Sequence, residues 1–181
     1  ARRIRMLETL IVTTPYAIIL AAGKGTRMQS DLPKVCHPIG GRPMVCAVVD
    51  ACLEAGCDRI VAVVGYKQEL VRESLAEYAD TVVFAEQLEQ NGTGHAVRCA
   101  MPALEGAPAG TPVFVLCGDG PLIRPSTLKA ILDRHTSTNA SATLATAILE
   151  DPTGYGRSKR DAGGGFVRIL EQKNASDADL A

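Results

Sequence analysis

Three groups of residues in this chain have the types and spacing to act on a phosphorylated ligand. The first is Gly23-Lys24-Gly25-Thr26-Arg27, directly after the apolar run Ala17–Ala21. Small residues at the end of a strand leave backbone N–H groups open, and such a nest holds phosphate oxygens. Lys24, Arg27 and, past Pro33, Lys34 add positive charge. The segment has neither the spacing of a P-loop nor the G-x-G-x-x-G of a dinucleotide fold. Glycines after a strand also serve as plain tight turns, and the three basic residues tip the reading toward phosphate. The second group centres on Asp119, just past the apolar run Pro112–Cys117. A carboxylate there lies at the carboxyl edge of a sheet, where open α/β folds bind ligands. Its hard oxygens suit magnesium, although an Asp after a strand also forms turns. The third group is Gln87-Leu88-Glu89-Gln90-Asn91-Gly92-Thr93. Its amides can present a donor and an acceptor to a base edge. The plainer reading is a polar loop with Thr93 as a helix N-cap. His37, His95 and His135 have no ligand spacing, and no Ser/His/Asp or Cys/His nucleophile set occurs. That fits direct displacement, where positioning and charge neutralisation carry the rate.

These residues need a scaffold, and the pattern supplies one. Short apolar runs at Ala17–Ala21, Arg59–Val64, Thr81–Ala85 and Pro112–Cys117 read as buried strands. Between them, apolar residues recur at helical spacing: Met44, Val48, Cys52 and Ala55 before a Gly56 stop, then Leu70 to Tyr78, and His95 to Leu104. A further helix opens at Pro125 and carries Leu128, Ile131 and Leu132. The alternation predicts an α/β fold, a Rossmann-like three-layer sandwich with a mainly parallel sheet covered on both faces. Ser141–Leu149 reads as a longer strand, and residues 151–173, rich in glycine, as a loop or hairpin at the sheet edge. Residues 1–16 form an N-terminal extension of uncertain structure, and residues 17–181 a single domain.

Composition narrows the partners. A net charge of -1 argues against a broad nucleic-acid surface, and the lack of Trp against base-stacking platforms. No stretch approaches the roughly 20 apolar residues of a membrane span. The six cysteines form no C-x-x-C pair, and several sit in apolar runs. They read as reduced core residues of a cytoplasmic protein.

Leu20-Ala21-Ala22-Gly23-Lys24-Gly25-Thr26-Arg27-Met28, with Leu32-Pro33-Lys34 and Gly41-Arg42-Pro43-Met44 behind it, resembles the signature of the sugar-phosphate nucleotidyltransferases. Gln87 to Ala96 is similar to the uracil-contacting stretch of their N-acetylglucosamine-1-phosphate uridylyltransferase branch, and Val115 to Leu122 to its metal-binding strand end. Asp151 to Arg157, with Glu171-Gln172-Lys173, resembles the part that closes over the acetamido sugar. The resemblance implies a nucleotide-diphospho-sugar transferase fold, and UTP, a sugar 1-phosphate and Mg2+ as ligands. It assigns nucleotide contacts to Leu20, Ala21, Ala22, Gly23, Lys34, Gln87, Gln90, Gly92 and Thr93. Catalytic charge neutralisation falls to Arg27 and Lys34, and the metal to Asp119. Sugar-phosphate contacts fall to Cys117, Gly118, Asp119, Gly156 and Glu171. Cys117 stands where the family usually has an aromatic, and Gly120 where a larger residue is common, so the sugar's identity stays open. The family's further sugar-contacting Asn and second metal-ligating Asn have no counterpart before Ala181. The expectation is therefore a domain incomplete at its C-terminal end that binds UTP and turns over weakly.

Overall fold

A computed structural model describes residues 14–176. Four parallel strands form the central sheet: β1 (Tyr16–Leu20), β4 (Arg59–Val64), β5 (Val82–Glu86) and β6 (Val113–Cys117), in the order β5-β4-β1-β6. Side chains alternate strictly across it, as strand geometry demands. Ala17, Ile19, Ile60, Ala62 and Val64 face one layer, and Tyr16, Ile18, Val61 and Val63 the other. The first layer holds α1 (Met44–Glu54), α2 (Gln68–Ser74) and α4 (Pro125–Ser137), which contribute Val45, Val48, Val49, Cys52, Val71 and Leu128. The second holds α3 (Thr93–Ala100), which lies across β1, β4 and β5 on Ala96 and Ala100. β1 and β4 are buried on both faces, which explains their unbroken apolar sequences.

Most predicted elements form within a residue or two of the expected bounds, β4 without any shift. The helix expected over His95–Leu104 is divided. α3 ends at Ala100 and gives way to a 3-10 turn over Met101–Leu104. Pro102 has no N–H to offer an α-helical carbonyl, and its ring clashes with the preceding turn. The strand expected over Ser141–Leu149 does not form. Residues 141–145 run beside β6 and line an apolar groove with it, but no ladder joins them. Ile148 is fully exposed. Apolar, β-prone residues make a strand only where a partner satisfies the backbone.

The segment 151–173 forms a hairpin, one of the two forms expected, but as a sheet of its own and not on the edge of the central one: β7 (Arg157–Arg160) pairs antiparallel with β8 (Phe166–Leu170). A two-residue ribbon, β2 (Pro38–Ile39) with β3 (Arg42–Pro43), precedes α1. Of the extension set apart in the sequence, residues 1–13 lie outside the described residues, whereas Tyr16 already belongs to β1. Among the described residues no helix is long and apolar enough to cross a membrane.

Candidate active site

The strand order turns back on itself at β1. The chain runs from β1 to β4 and β5 on one side, then returns to place β6 on the other. Leu20 and Cys117, the last residues of β1 and β6, are register partners. Gly118 N donates to Leu20 O at 2.9 Å, so the ladder continues one step and delivers Asp119 to the carboxyl edge. Such a switch point is where open α/β sheets open a crevice. Here it holds a cavity of about 320 Å³.

One wall of the cavity is the glycine-containing loop after β1. Ala22, Gly23 and Gly25 line it, and Ala21 is buried behind them. Gly25 has φ of +67°, and a Cβ there would sit 2.6 Å from Cβ of Lys34. Glycine is thus what lets the Lys34 stem pack against the loop. Lys34 stands at the start of a 3-10 turn (Lys34–Cys36), and its Nζ lies 2.5 Å from Asp119 Oδ2. The two side chains keep 37% and 32% of their surface exposed, so a ligand reaches both. Cys117 lines the cavity next to them. Partial burial, and then the Asp119 carboxylate, push its thiol above the ordinary range.

The opposite wall is the loop between β5 and α3. Gln87, Gln90, Gly92 and Thr93 line the cavity together. The NH2 groups of both glutamines are engaged within the protein. Gln90 Nε2 donates to Ala22 O at 2.8 Å, tying the two walls together. Ala22 O also accepts from Tyr66 N at 3.1 Å. Gln87 is buried, and its Nε2 donates to Gly92 O at 3.1 Å. Gly92 has φ of 88° and ψ of 179°, a conformation natural only to glycine, and turns the loop into α3.

Of the residues expected at the site, Leu20, Ala22, Gly23, Lys34, Gln87, Gln90, Gly92, Thr93, Cys117 and Asp119 therefore converge on one cavity. Gly118 is buried where β6 continues its ladder with β1 and is not in the cavity wall. Arg27 lies exposed on the 3-10 turn Thr26–Met28 and is not in the cavity wall. Lys24 stacks its ammonium over the Tyr66 ring, 5.3 Å from the centroid. Gly156 and Glu171 stand side by side at the base of the β7–β8 hairpin, outside the wall. Val35, which follows Lys34 in its turn, escaped sequence reasoning, and Ala96, on the first turn of α3, ended the stretch read as base-contacting without a role of its own. Both are small apolar floor residues, and only the turn and helix that carry them give them a site.

Among the described residues no group of three or more His, Cys, Asp or Glu is placed to hold a metal. The donor set is the single carboxylate of Asp119 beside an open cavity. That suits magnesium, which keeps several waters and takes its remaining ligands from substrate phosphates. It does not suit zinc, which wants a protein cage.

Comparisons with known proteins give the family and the fold. The family model for the MobA-like NTP transferase domain matches residues 17–162. The chain belongs to that family. A curated relative, the bifunctional protein GlmU of Pelobacter propionicus, is 54% identical over 165 residues, which are 91% of this chain and 35% of that protein. The chain spans about a third of the length of the curated relatives it matches. Among solved structures, HddC from Yersinia pseudotuberculosis superposes with a TM-score of 0.65 over 87% of this chain and 69% of that one, at 22% identity. It shares the fold. Rv0371c from Mycobacterium tuberculosis, solved as a complex with manganese, gives a TM-score of 0.54 at 26% identity over 69% and 61% of the two chains. The described chain is thus an NTP transferase domain with its cavity at the switch point of the sheet.

Proposed function

We propose that this domain transfers a uridylyl group from UTP to N-acetylglucosamine 1-phosphate, giving UDP-N-acetylglucosamine and pyrophosphate, with magnesium. The observation that supports this most is the convergence of the phosphate loop, Lys34, Asp119 and the Gln87–Thr93 loop on one cavity. Open backbone N–H groups at Ala22 to Gly25 receive the triphosphate. The Gln87–Thr93 wall receives the base, and its closeness to the phosphate wall is held by the Gln90–Ala22 bond. An oxygen of the sugar phosphate attacks the α-phosphorus while the bond from that phosphorus to the β-bridging oxygen breaks. Pyrophosphate leaves, and no side chain becomes covalently attached. Lys34 turns from Asp119 toward the phosphates, where its charge offsets the negative charge growing on the transferred group and leaving group. Asp119 would hold magnesium, which when bound supplies further neutralisation and a template for the phosphates.

The test is pyrophosphate release with UTP, magnesium and N-acetylglucosamine 1-phosphate, run beside calorimetric titration of the four nucleoside triphosphates. Preferential UTP binding with pyrophosphate release that requires the sugar phosphate supports the reading. No UTP binding, or equal binding of all four, overturns it.

A further inference from the structure

We infer that His95 sets the orientation of the Gln87 amide and thereby makes Gln87 a reader of base N–H groups. The inference rests on the nucleotide reading above and goes beyond it. Gln87 Nε2 lies 3.1 Å from Gly92 O and 3.1 Å from His95 Nδ1. A peptide carbonyl accepts only, so the amide atom facing it is the NH2 and not the oxygen. That orientation turns the second N–H onto His95 Nδ1, which must then be the unprotonated acceptor nitrogen. Its ring proton sits on Nε2, facing Cys99 Sγ at 3.8 Å, a weak acceptor. Two hydrogens meet two acceptors, and the pair is matched only in this arrangement.

The consequence falls on the ligand. With both N–H groups committed, what Gln87 offers a base is its acceptor Oε1. An acceptor there pairs with uracil N3–H or thymine N3–H. It meets lone pair against lone pair at the unprotonated N3 of cytosine. Gln87 is only 4% exposed, so a mismatch made there has little water to relieve it. Gly92 O is shared: it also accepts from Ala96 N at 3.1 Å as the carbonyl that opens α3. His95 adds a second acceptor on the regular first turn of α3. It is a positioning residue, acting through Gln87.

The experiment compares UTP and CTP binding by calorimetry for the 181-residue chain, His95→Ala and His95→Asn, each first checked for a native thermal transition. The wild-type protein is expected to favour UTP. His95→Ala is expected to shrink that preference by about tenfold or more, the scale of one buried hydrogen bond. His95→Asn, whose Oδ1 can replace Nδ1 as acceptor, is expected to retain most of it. A second measurement needs no nucleotide: long-range proton–nitrogen spectra of the neutral imidazole, assigned by the signal missing from the Asn variant, are expected to show the proton on Nε2. A proton on Nδ1, an unchanged UTP preference in His95→Ala, or no rescue by Asn overturns the role of His95. A wild-type protein that binds neither pyrimidine triphosphate overturns the nucleotide reading, while the imidazole tautomer still reports on the His95–Gln87 pair.

Discussion

Lys34 and Asp119, 2.5 Å apart, hold opposite charges ready at the mouth of the cavity. Each is the other's counter-ion, and in the proposed reaction phosphate comes to one and a cation to the other. Asp119→Asn keeps the shape and removes the charge that holds a hard cation. It is expected to abolish the magnesium dependence of UTP binding and most turnover while leaving the melting temperature nearly unchanged. Calorimetry with and without magnesium checks this, and retained dependence would reassign the ligand. Gly25→Ala tests the placement of Lys34. The substitution strains a φ of +67° and pushes a Cβ against that of Lys34. A stability loss of about 1–3 kcal/mol and weaker UTP binding are expected, measured by urea unfolding and titration. The residues that line the cavity were singled out at this scale by type: glycine where backbone is bare, lysine where charge stands beside it. The use of each amide was not readable. The acceptor for Gln90 lies 68 positions earlier, at Ala22 O, and nothing local to the glutamine announces it.

The β2–β3 ribbon carries Arg42, whose guanidinium joins three elements. It reaches Asp50 on α1 at 2.7 Å, Glu77 at 2.8 Å and the Tyr78 hydroxyl at 2.7 Å, the last two in the 3-10 turn after α2. Tyr78 in turn donates to Asp50 Oδ1 at 2.6 Å. Burial first, and then the Asp50 carboxylate it donates to, push the Tyr78 phenol well above its usual value. The folded state therefore holds this proton more tightly than the unfolded chain does. The associated stability is complete below the unfolded value of about 10 and is lost as pH rises beyond it. Tyr78→Phe is expected to cost about 1 kcal/mol at pH 8 and to fall off less steeply than wild type between pH 9 and 11. Urea midpoints of the two proteins across that range check it, and parallel curves would deny the phenol this role. Elements were readable where local pattern and tertiary demand coincide. Gly56, with φ of +91°, ends the α1 turn as expected, and β4 is apolar because both its faces are covered. They were misread where a partner decides: residues 141–149 have strand chemistry, but no ladder receives them.

Across the whole molecule, stability and binding draw on different parts of the same sheet. The layer of α1, α2 and α4 holds the larger core, but α4 contributes a single fully buried side chain, Leu128. β6, beneath it, is also the least covered strand of the central sheet, with Val113 39% and Val115 48% exposed. This corner of the fold is thus keyed by one residue. Leu128→Ala removes its buried methyl groups and leaves a cavity, and a loss of about 2–5 kcal/mol is expected. The denaturant midpoint should fall while the slope stays unchanged. The cavity proposed for the nucleotide lies at the carboxyl ends of β1 and β6, and Leu128 is not part of its wall. A ligand that binds only the folded state adds RT ln(1 + [L]/Kd), about 2.7 kcal/mol at a hundredfold excess over Kd. UTP with magnesium at that excess is therefore expected to stabilise wild type and Leu128→Ala by the same amount, because neither the loop backbone nor the Lys34–Asp119 pair depends on the α4 contact. Unfolding curves with and without nucleotide give both increments. A smaller gain in the variant would mean that α4 packing reaches the site through β6, and a Leu128→Ala loss below about 1 kcal/mol would mean that the α4 layer is held by the partly buried Ile123, Ile131 and Leu132 instead.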